Sequence, residues 1–205
     1  MKTIVLNLLI GLMLMVGGSV ANAGPYDDGS AAYERGEYAT ALRLFRPLAD
    51  QGNAQAQYKI GLIYYGVTHY RPPSGEEVPE DRAEAAKWFR RAAEKGDSGA
   101  QHYLGMMMYE DGDGVPKNLA EAAKWIRKAA EQGSIYAQRD LASKYYNGEG
   151  VPQNLAEAAK WFGKAADQGE EVSQSILGEM YSKGEGVPKN YVLAYGNWPP
   201  ACGTT

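Results

Sequence analysis

Apolar positions recur along this chain at a spacing that predicts helices. The string Ala-Glu-Ala-Ala-Lys-Trp occurs at 83–88, 120–125 and 156–161. In the first copy, positions i, i+3, i+4, i+7 and i+8 are all apolar, which predicts one buried face of an α-helix. Those five positions are Ala85, Trp88, Phe89, Ala92 and Ala93. Each such helix is followed by a glycine, which takes a left-handed conformation cheaply, so a sharp turn into an antiparallel helix is predicted. The glycines are Gly52, Gly96, Gly133 and Gly169.

A second pattern marks the other helix of each pair. A small residue recurs at Ala56, Ala100, Ala137 and Ser173, and another follows five residues later at Gly61, Gly105, Ala142 and Gly178. Small residues at this spacing allow two helices to cross closely. A glutamine comes directly after the first small residue in every pair, at Gln57, Gln101, Gln138 and Gln174.

The two patterns combine into one repeat. Gly-x-Gly-Val-Pro occurs at 112–116, 148–152 and 184–188, and a degraded copy ends at Val78-Pro79. The prolines at 79, 116, 152 and 188 are 37, 36 and 36 residues apart. A repeat of this length indicates stacked helical hairpins, so the predicted fold is an all-α solenoid of antiparallel helix pairs.

These residues resemble the Sel-one-like repeat (SLR) family, which belongs to the tetratricopeptide-like superfamily. The match is carried by Ser173, Leu177-Gly178, Tyr181 and Gly184–Val187, with Trp161, Ala165-Ala166 and Gly169 in the preceding unit. The resemblance implies a right-handed superhelix of helix pairs and a role in assembling other proteins. It implies no catalytic residues.

The predicted array spans residues 53–198 in about four units and follows an N-terminal helical hairpin at 24–52. Its first unit carries an insertion at 67–77, which is either a binding loop or a tolerated surface loop. The last unit is truncated, because Pro199-Pro200 cannot continue a helix. We expect residues 199–205 to be disordered. We also expect the uncovered apolar edge of the last unit to associate with a second chain or a partner.

The N-terminus has the pattern of a secretory signal peptide at 1–23. Lys2 precedes an apolar run from Ile4 to Val16, and Ala21-Asn22-Ala23 supplies small residues for cleavage after Ala23. A membrane anchor is the alternative, but the run is shorter than the roughly 20 residues that spanning requires. We therefore predict a periplasmic or secreted protein without membrane insertion after cleavage.

Composition excludes several classes of function. The net charge of −4 disfavours nucleic acid, which binds basic surfaces. The single cysteine, Cys202, cannot form a disulfide within the chain. Neither histidine, His69 or His102, lies at metal-ligand spacing from the other. The run from Asp111 to Gly114 resembles the start of a calcium loop but lacks the glutamate at position twelve. We predict no enzyme activity, no cofactor and no metal.

The favoured function is an exported adaptor that binds a peptide or protein partner in its groove. The candidate binding residues are Gln57, Tyr65, Gln101, Gln138, Tyr146 and Gln174. An alternative for the glutamines is that they are simply solvated. An alternative function is a module associated with peptidoglycan or another component of the cell envelope, since tyrosine and tryptophan can stack on sugar rings.

Overall fold

A computed structural model describes residues 24–66, 78–110 and 114–194. These residues form ten α-helices and no β-strand. The helices are α1 (Pro25–Glu34), α2 (Tyr38–Asp50), α3 (Ala54–Tyr65), α4 (Arg82–Glu94), α5 (Ser98–Tyr109), α6 (Leu119–Glu131), α7 (Ile135–Asn147), α8 (Leu155–Asp167), α9 (Glu171–Lys183) and α10 (Tyr191–Ala194). Each packs against the next along the chain, which confirms a solenoid of helix pairs. We call α1, α3, α5, α7 and α9 the first helices, and the others the second helices.

The second helices are held by the predicted apolar stripe. Its five positions are buried in α4, α6 and α8 alike, and the tryptophans Trp88, Trp125 and Trp161 are 3%, 8% and 4% exposed. An Asp or Asn caps the start of each of these helices by accepting a backbone N–H bond from the residue three positions on. The cap and the stripe together set the beginning and the buried face of each second helix.

The turn between the two helices follows the predicted chemistry. Gly52, Gly96, Gly133 and Gly169 have φ values of 94°, 96°, 92° and 89°. The next residue caps the following helix, and the side chains of Asn53 and Asp97 accept backbone N–H bonds of 2.9 and 2.8 Å. Glu170, a less common cap residue than Asn, Asp or Ser, also accepts such a bond at 2.6 Å. Ser134 occupies the cap position without a side-chain bond.

The Gly-x-Gly-Val-Pro loops need both glycines, each for a different reason. The first glycine ends α7 and α9 in the left-handed conformation, at Gly148 and Gly184. The second glycine of the motif packs onto the backbone at the start of the second helix in the preceding unit. A Cβ at Gly150 would overlap the Leu119 carbonyl, and a Cβ at Gly186 would overlap that of Leu155. The motif therefore joins consecutive units.

The small residues of the first helices lie at helix crossings, as predicted. A Cβ at Gly61 would lie 2.6 Å from the Phe89 ring, and one at Gly105 would lie 2.6 Å from Ile126. Glycine at these positions lets the large side chain of the second helix fill the crossing.

Four sequence predictions fall outside the described residues. They concern the signal peptide at 1–23, the insertion at 67–77, the Asp111–Asp113 part of the run that resembles a calcium loop, and the chain from 195 onward. The described end of α5 does differ from its counterparts: Glu110 follows it in an extended conformation, where α3, α7 and α9 end at a left-handed glycine.

Candidate functional site

The recurring glutamines lie inside the junction between helices. Gln57, Gln101 and Gln138 are 3%, 4% and 5% exposed. The side-chain amide of each donates a hydrogen bond to a carbonyl in the last turn of the preceding second helix. The acceptors are Ala49 at 2.8 Å, Ala93 at 3.1 Å and Ala130 at 3.2 Å, and Gln174, which is half-buried, donates to Ala166 at 3.1 Å. Each of these carbonyls also accepts the backbone N–H of the glycine in the following turn, at 2.9–3.0 Å, so the glutamine supplies a second donor and ties the first helix to that turn.

A second glutamine, just after the second helix of the same repeat, adds to this contact. The Gln132 amide donates to the Gln101 side-chain oxygen at 2.8 Å, and Gln168 donates to Gln138 at the same distance. The corresponding position in the first unit is Lys95, and the Gln57 side-chain oxygen has no hydrogen-bond partner among the described residues. Burial rules out the interpretation that these glutamines are simply solvated. It also places the three buried amides away from a groove surface, where the sequence prediction had put them.

The two predicted tyrosines contact neighbouring units. The Tyr146 hydroxyl donates to the Glu185 carboxylate at 3.2 Å, across the boundary between units. Tyr109, which has the same place in α5, donates to Glu149 in the same way, and this bond raises the pKa of Tyr109 to about 12. Within its own repeat, the Tyr65 ring packs on Phe89 and lies under the Arg82 guanidinium at 4.6 Å. It also contacts the Tyr103 ring of the next repeat at 5.6 Å. The structure thus gives both predicted tyrosines contacts that join repeats.

A different set of side chains covers the outer surface of the first helices. It occupies the two positions directly after each glutamine, and most members are half-buried. These positions hold Tyr58, Lys59, His102, Tyr103, Arg139, Asp140, Ser175 and Ile176. With Tyr136, which is 61% exposed, we call this surface the first-helix face.

The N-terminal half of the first-helix face is aromatic. The Tyr103 ring stacks on Phe89 with a centroid separation of 5.1 Å and contacts Tyr58 and Tyr65 at 6.1 and 5.6 Å. Lys59 lies 4.4 Å above the Tyr33 ring. Burial raises the pKa of Tyr58, and the neighbouring Tyr103 adds to the effect, so these hydroxyls stay neutral donors at physiological pH. This aromatic cluster places ring faces beside hydroxyl groups, so a partner could make apolar contacts and hydrogen bonds in the same place.

The C-terminal half of the face is ionic. The His102 imidazole lies 2.7 Å from the Asp140 carboxylate, which joins α5 to α7. Arg139 contacts Asp140 at 3.2 Å and Glu170 at 3.4 Å. Burial by itself raises the pKa of Asp140, but the hydrogen bonds and charges of His102 and Arg139 outweigh burial and hold that pKa below its ordinary value. The Asp140 carboxylate is therefore ionised and held in place.

Sequence reasoning missed this face, although the chain contains a signal for it. The glutamine and the small residue recur in all four units, whereas the two positions after the glutamine hold a different pair in each unit. Positions that vary between otherwise matching repeats are not part of the packing pattern that the repeats share. That comparison within the chain selects Tyr58, His102, Tyr103, Arg139 and Asp140.

The sequence matches the Sel1 repeat family profile in five consecutive segments, at 21–53, 54–97, 98–134, 135–170 and 172–197. The chain belongs to the Sel1 repeat family. The profile counts residues 21–53 as a further Sel1 repeat, and this segment includes the hairpin at 24–52 that we predicted as separate from the array. A search of curated protein sequences finds no significant match.

Two solved structures are similar to this Sel1-repeat chain. One is c5321, a protective antigen present in uropathogenic Escherichia coli strains, with 36% identity and a TM-score of 0.73. The match covers 83% of this chain and 35% of that one, so the chain spans about a third of the length of c5321. The other is a Sel1 repeat protein from Oxalobacter formigenes, with 28% identity and a TM-score of 0.69. That match covers 89% of this chain and 72% of the Oxalobacter formigenes protein.

Membership of the Sel1 repeat family sets the class of function. Sel1 repeats form non-catalytic scaffolds for protein–protein interaction.

Within the part of the chain that the structure describes, no group of three His, Cys, Asp or Glu side chains could hold a metal ion. Over residues 24–66, 78–110 and 114–194, no helix has the length and apolarity to cross a bilayer.

Proposed function

We propose that this protein is an exported scaffold that binds an extended peptide or protein segment along the first-helix face. The observation that carries the proposal is the non-repeating set of half-buried side chains on α3, α5 and α7. Neighbouring packed helices lie about 8–10 Å apart, so three helices offer roughly 20 Å of surface. An extended peptide of about six residues has that length.

The chemistry of the face suits a peptide. The Tyr58 and Tyr103 rings supply apolar contact area at low cost in conformational entropy, while their hydroxyls can bond to peptide backbone. Tyr136 adds an exposed ring with the Arg139 guanidinium at 5.6 Å. Because His102, Asp140 and Arg139 already hold one another, a partner meets a rigid polar surface with little ordering left to do.

Site-specific photo-cross-linking in the native cell tests this proposal. A photoreactive amino acid replaces Tyr136 on the first-helix face, and Lys160 on α8 serves as the control position because it is exposed on a second helix. We expect a discrete adduct from position 136 and none from position 160. Failure to obtain an adduct at 136, or equal adducts at both positions, would refute binding at this face.

Export is supported by the N-terminal sequence alone. The signal pattern predicts a mature protein that begins at Gly24, in the periplasm or outside the cell. Intact mass of the protein purified from its native source measures this directly. A mass that retains residues 1–23 would contradict it.

Self-association through the C-terminal edge belongs to the same proposal. Tyr191 and Val192 on the four-residue helix α10 are 58% and 67% exposed, and Val172 on α9 is 51% exposed. Exposed apolar side chains on the last two described helices are groups that a second chain can cover.

No specific observation favours the peptidoglycan alternative. The three tryptophans of the second helices are buried, and a cation from Arg91, Lys128 or Lys164 lies over each ring at 4.0–4.6 Å. Their ring faces are therefore already covered.

A further inference from the structure

A cleft of about 410 Å³ lies on the second-helix side of the array, between α4 and the loop that precedes α6. Its floor is apolar and consists of Ala83, Ala86 and Val115. Its rim carries Lys87, Arg90 and Arg91. The cleft contains no residue of the first-helix face, so whatever it binds is separate from the peptide proposed above.

The positive charge of this cleft is specific to one repeat. Residues 82–95, which comprise α4 and the residue after it, hold five basic and two acidic side chains. The matching stretch at 119–132 holds three basic and two acidic side chains, and the one at 155–168 holds two basic and two acidic side chains. The net charge of the same structural element thus falls from +3 to +1 to 0 along a protein whose net charge is −4. Packing does not account for the difference, because the buried stripe is the same in all three helices.

Arg90 shows how this repeat differs from the next one. Its counterpart Arg127 on α6 donates to the Tyr145 hydroxyl on α7. The residue that corresponds to Tyr145 in the preceding unit is Met108, which offers no oxygen acceptor, and no described side chain pairs with Arg90. The corresponding residue on α8 is Gly163. Only at α4, therefore, does this position hold an arginine that is exposed and unpaired among the described residues.

The other rim cations are partly engaged. Lys87 pairs with Glu84 at 2.9 Å, and the Arg91 guanidinium lies 4.6 Å from the Trp88 ring centroid. Both remain on the surface, and among the described residues Glu94 is the one acidic side chain that lines the cleft. Exposed pairs of this kind contribute little to stability, so an incoming carboxylate can compete for them.

We propose that the α4 cleft binds an acidic segment of a partner protein that also carries small apolar side chains. The rim cations attract carboxylates, and the floor buries apolar groups beside them. Lys87 and Arg91 lie on successive turns of one helix, about 6 Å apart along its axis at 1.5 Å per residue. Charges spaced in this way match carboxylates distributed along a chain better than one compact anion.

Fluorescence anisotropy with a labelled twelve-residue peptide of alternating Glu and Val tests this inference. The full mature chain should bind it, and binding should weaken as salt rises from 50 to 200 mM. The double variant Lys87→Gln, Arg90→Gln should weaken binding at least tenfold. The matched control is Lys160→Gln, Lys164→Gln, which removes two charges from α8 and should change affinity less than twofold. Equal thermal midpoints will show that all variants are folded.

Four results would overturn the inference. The first is no binding of the Glu-Val peptide at 1 mM. The second is an equal loss of affinity in the α8 control, which would indicate a general charge effect. The third is tighter binding of inorganic polyphosphate, a short DNA or an anionic vesicle than of the peptide, which would assign the cleft to a different class of partner. A Gln-Val peptide that bound as well as the Glu-Val peptide would also contradict the role of carboxylates.

Discussion

Replacing Gln138 by alanine distinguishes a structural role from a binding role for the recurring glutamine. The side chain is 5% exposed, donates to the Ala130 carbonyl at 3.2 Å and accepts from Gln168 at 2.8 Å. The Ala130 carbonyl keeps the Gly133 backbone N–H at 3.0 Å, so the substitution removes one of its two hydrogen bonds, worth about 0.5–1.5 kcal/mol. Removing the buried methylene of the side chain costs about 0.8 kcal/mol more. Gln168 is exposed, so water can replace the bond that its amide loses. We therefore expect Gln138→Ala to lower the free energy of unfolding by about 2 kcal/mol.

Urea unfolding followed by tryptophan fluorescence measures this loss. With an m-value of about 2 kcal/mol per M, the midpoint should fall by roughly 1 M. Gln55→Ala is the matched control, because Gln55 is exposed near the start of the first helix α3 and its loss should stay within about 0.5 kcal/mol. A double-mutant cycle with Gln168→Ala should give a coupling energy of about 0.5–1.5 kcal/mol.

The opposite outcome would restore the prediction made from sequence. If Gln138→Ala stays within 0.5 kcal/mol of wild type and abolishes the cross-link from position 136, the glutamine is a binding residue. The structural account of the four glutamines would then be wrong.

The remaining predictions concern packing, loops, acid stability and the end of the array. Trp125→Ala should cost about 3–5 kcal/mol in urea unfolding, since the ring is 8% exposed, and a loss below about 1 kcal/mol would contradict its burial. Gly150→Ala should cost at least about 2 kcal/mol, because φ is 74° and the new Cβ meets the Leu119 carbonyl; Gly163→Ala, inside α8 with nothing nearer than 3.9 Å, should instead be neutral or stabilise by up to about 1 kcal/mol. The Asp140 carboxyl has a folded pKa below its unfolded value, so it stabilises the fold above the unfolded pKa and this contribution disappears as pH falls through the folded pKa. Unfolding at pH 7 and pH 3 should therefore show a smaller loss on acidification in Asp140→Asn than in wild type, and equal losses would count against the pairing. Hydrogen exchange should be faster in α10 than in α4 and α6, because α10 has only four residues and, among the described residues, packs mainly against α9; equal protection in a proven monomer would contradict this.

Much of the fold could be predicted from sequence because its determinants are local and periodic. A left-handed glycine, an Asn or Asp cap and an apolar stripe act within one or two helical turns, and each recurs at 36 or 37 residues. The tryptophans were assigned to the core from that spacing alone, and the structure confirms them there. Repetition in register made each assignment stronger than a single copy would allow.

The candidate site was harder to predict because its determinants are contacts between distant residues. From their polarity, Gln57, Gln101 and Gln138 were predicted to lie on a surface. In the structure, each bonds to a carbonyl eight residues earlier in the chain. Gln101 and Gln138 also bond to glutamines 31 and 30 residues later. The same holds for Tyr146, whose hydroxyl reaches Glu185 in the next unit. A polar side chain looks alike in sequence whether water or a helix end satisfies it.

The sequence by itself determined the helix pairs, their turns, their buried stripes and the family, because each depends on residue type at fixed short spacing. Tertiary structure alone decided which polar side chains remain available. Arg90 and Arg127 occupy the same place in two nearly identical helices, yet only Arg127 meets a tyrosine hydroxyl across the unit boundary. Whether a polar side chain remains available to a partner depends on which residues of the neighbouring unit lie beside it, and only the assembled array decides that.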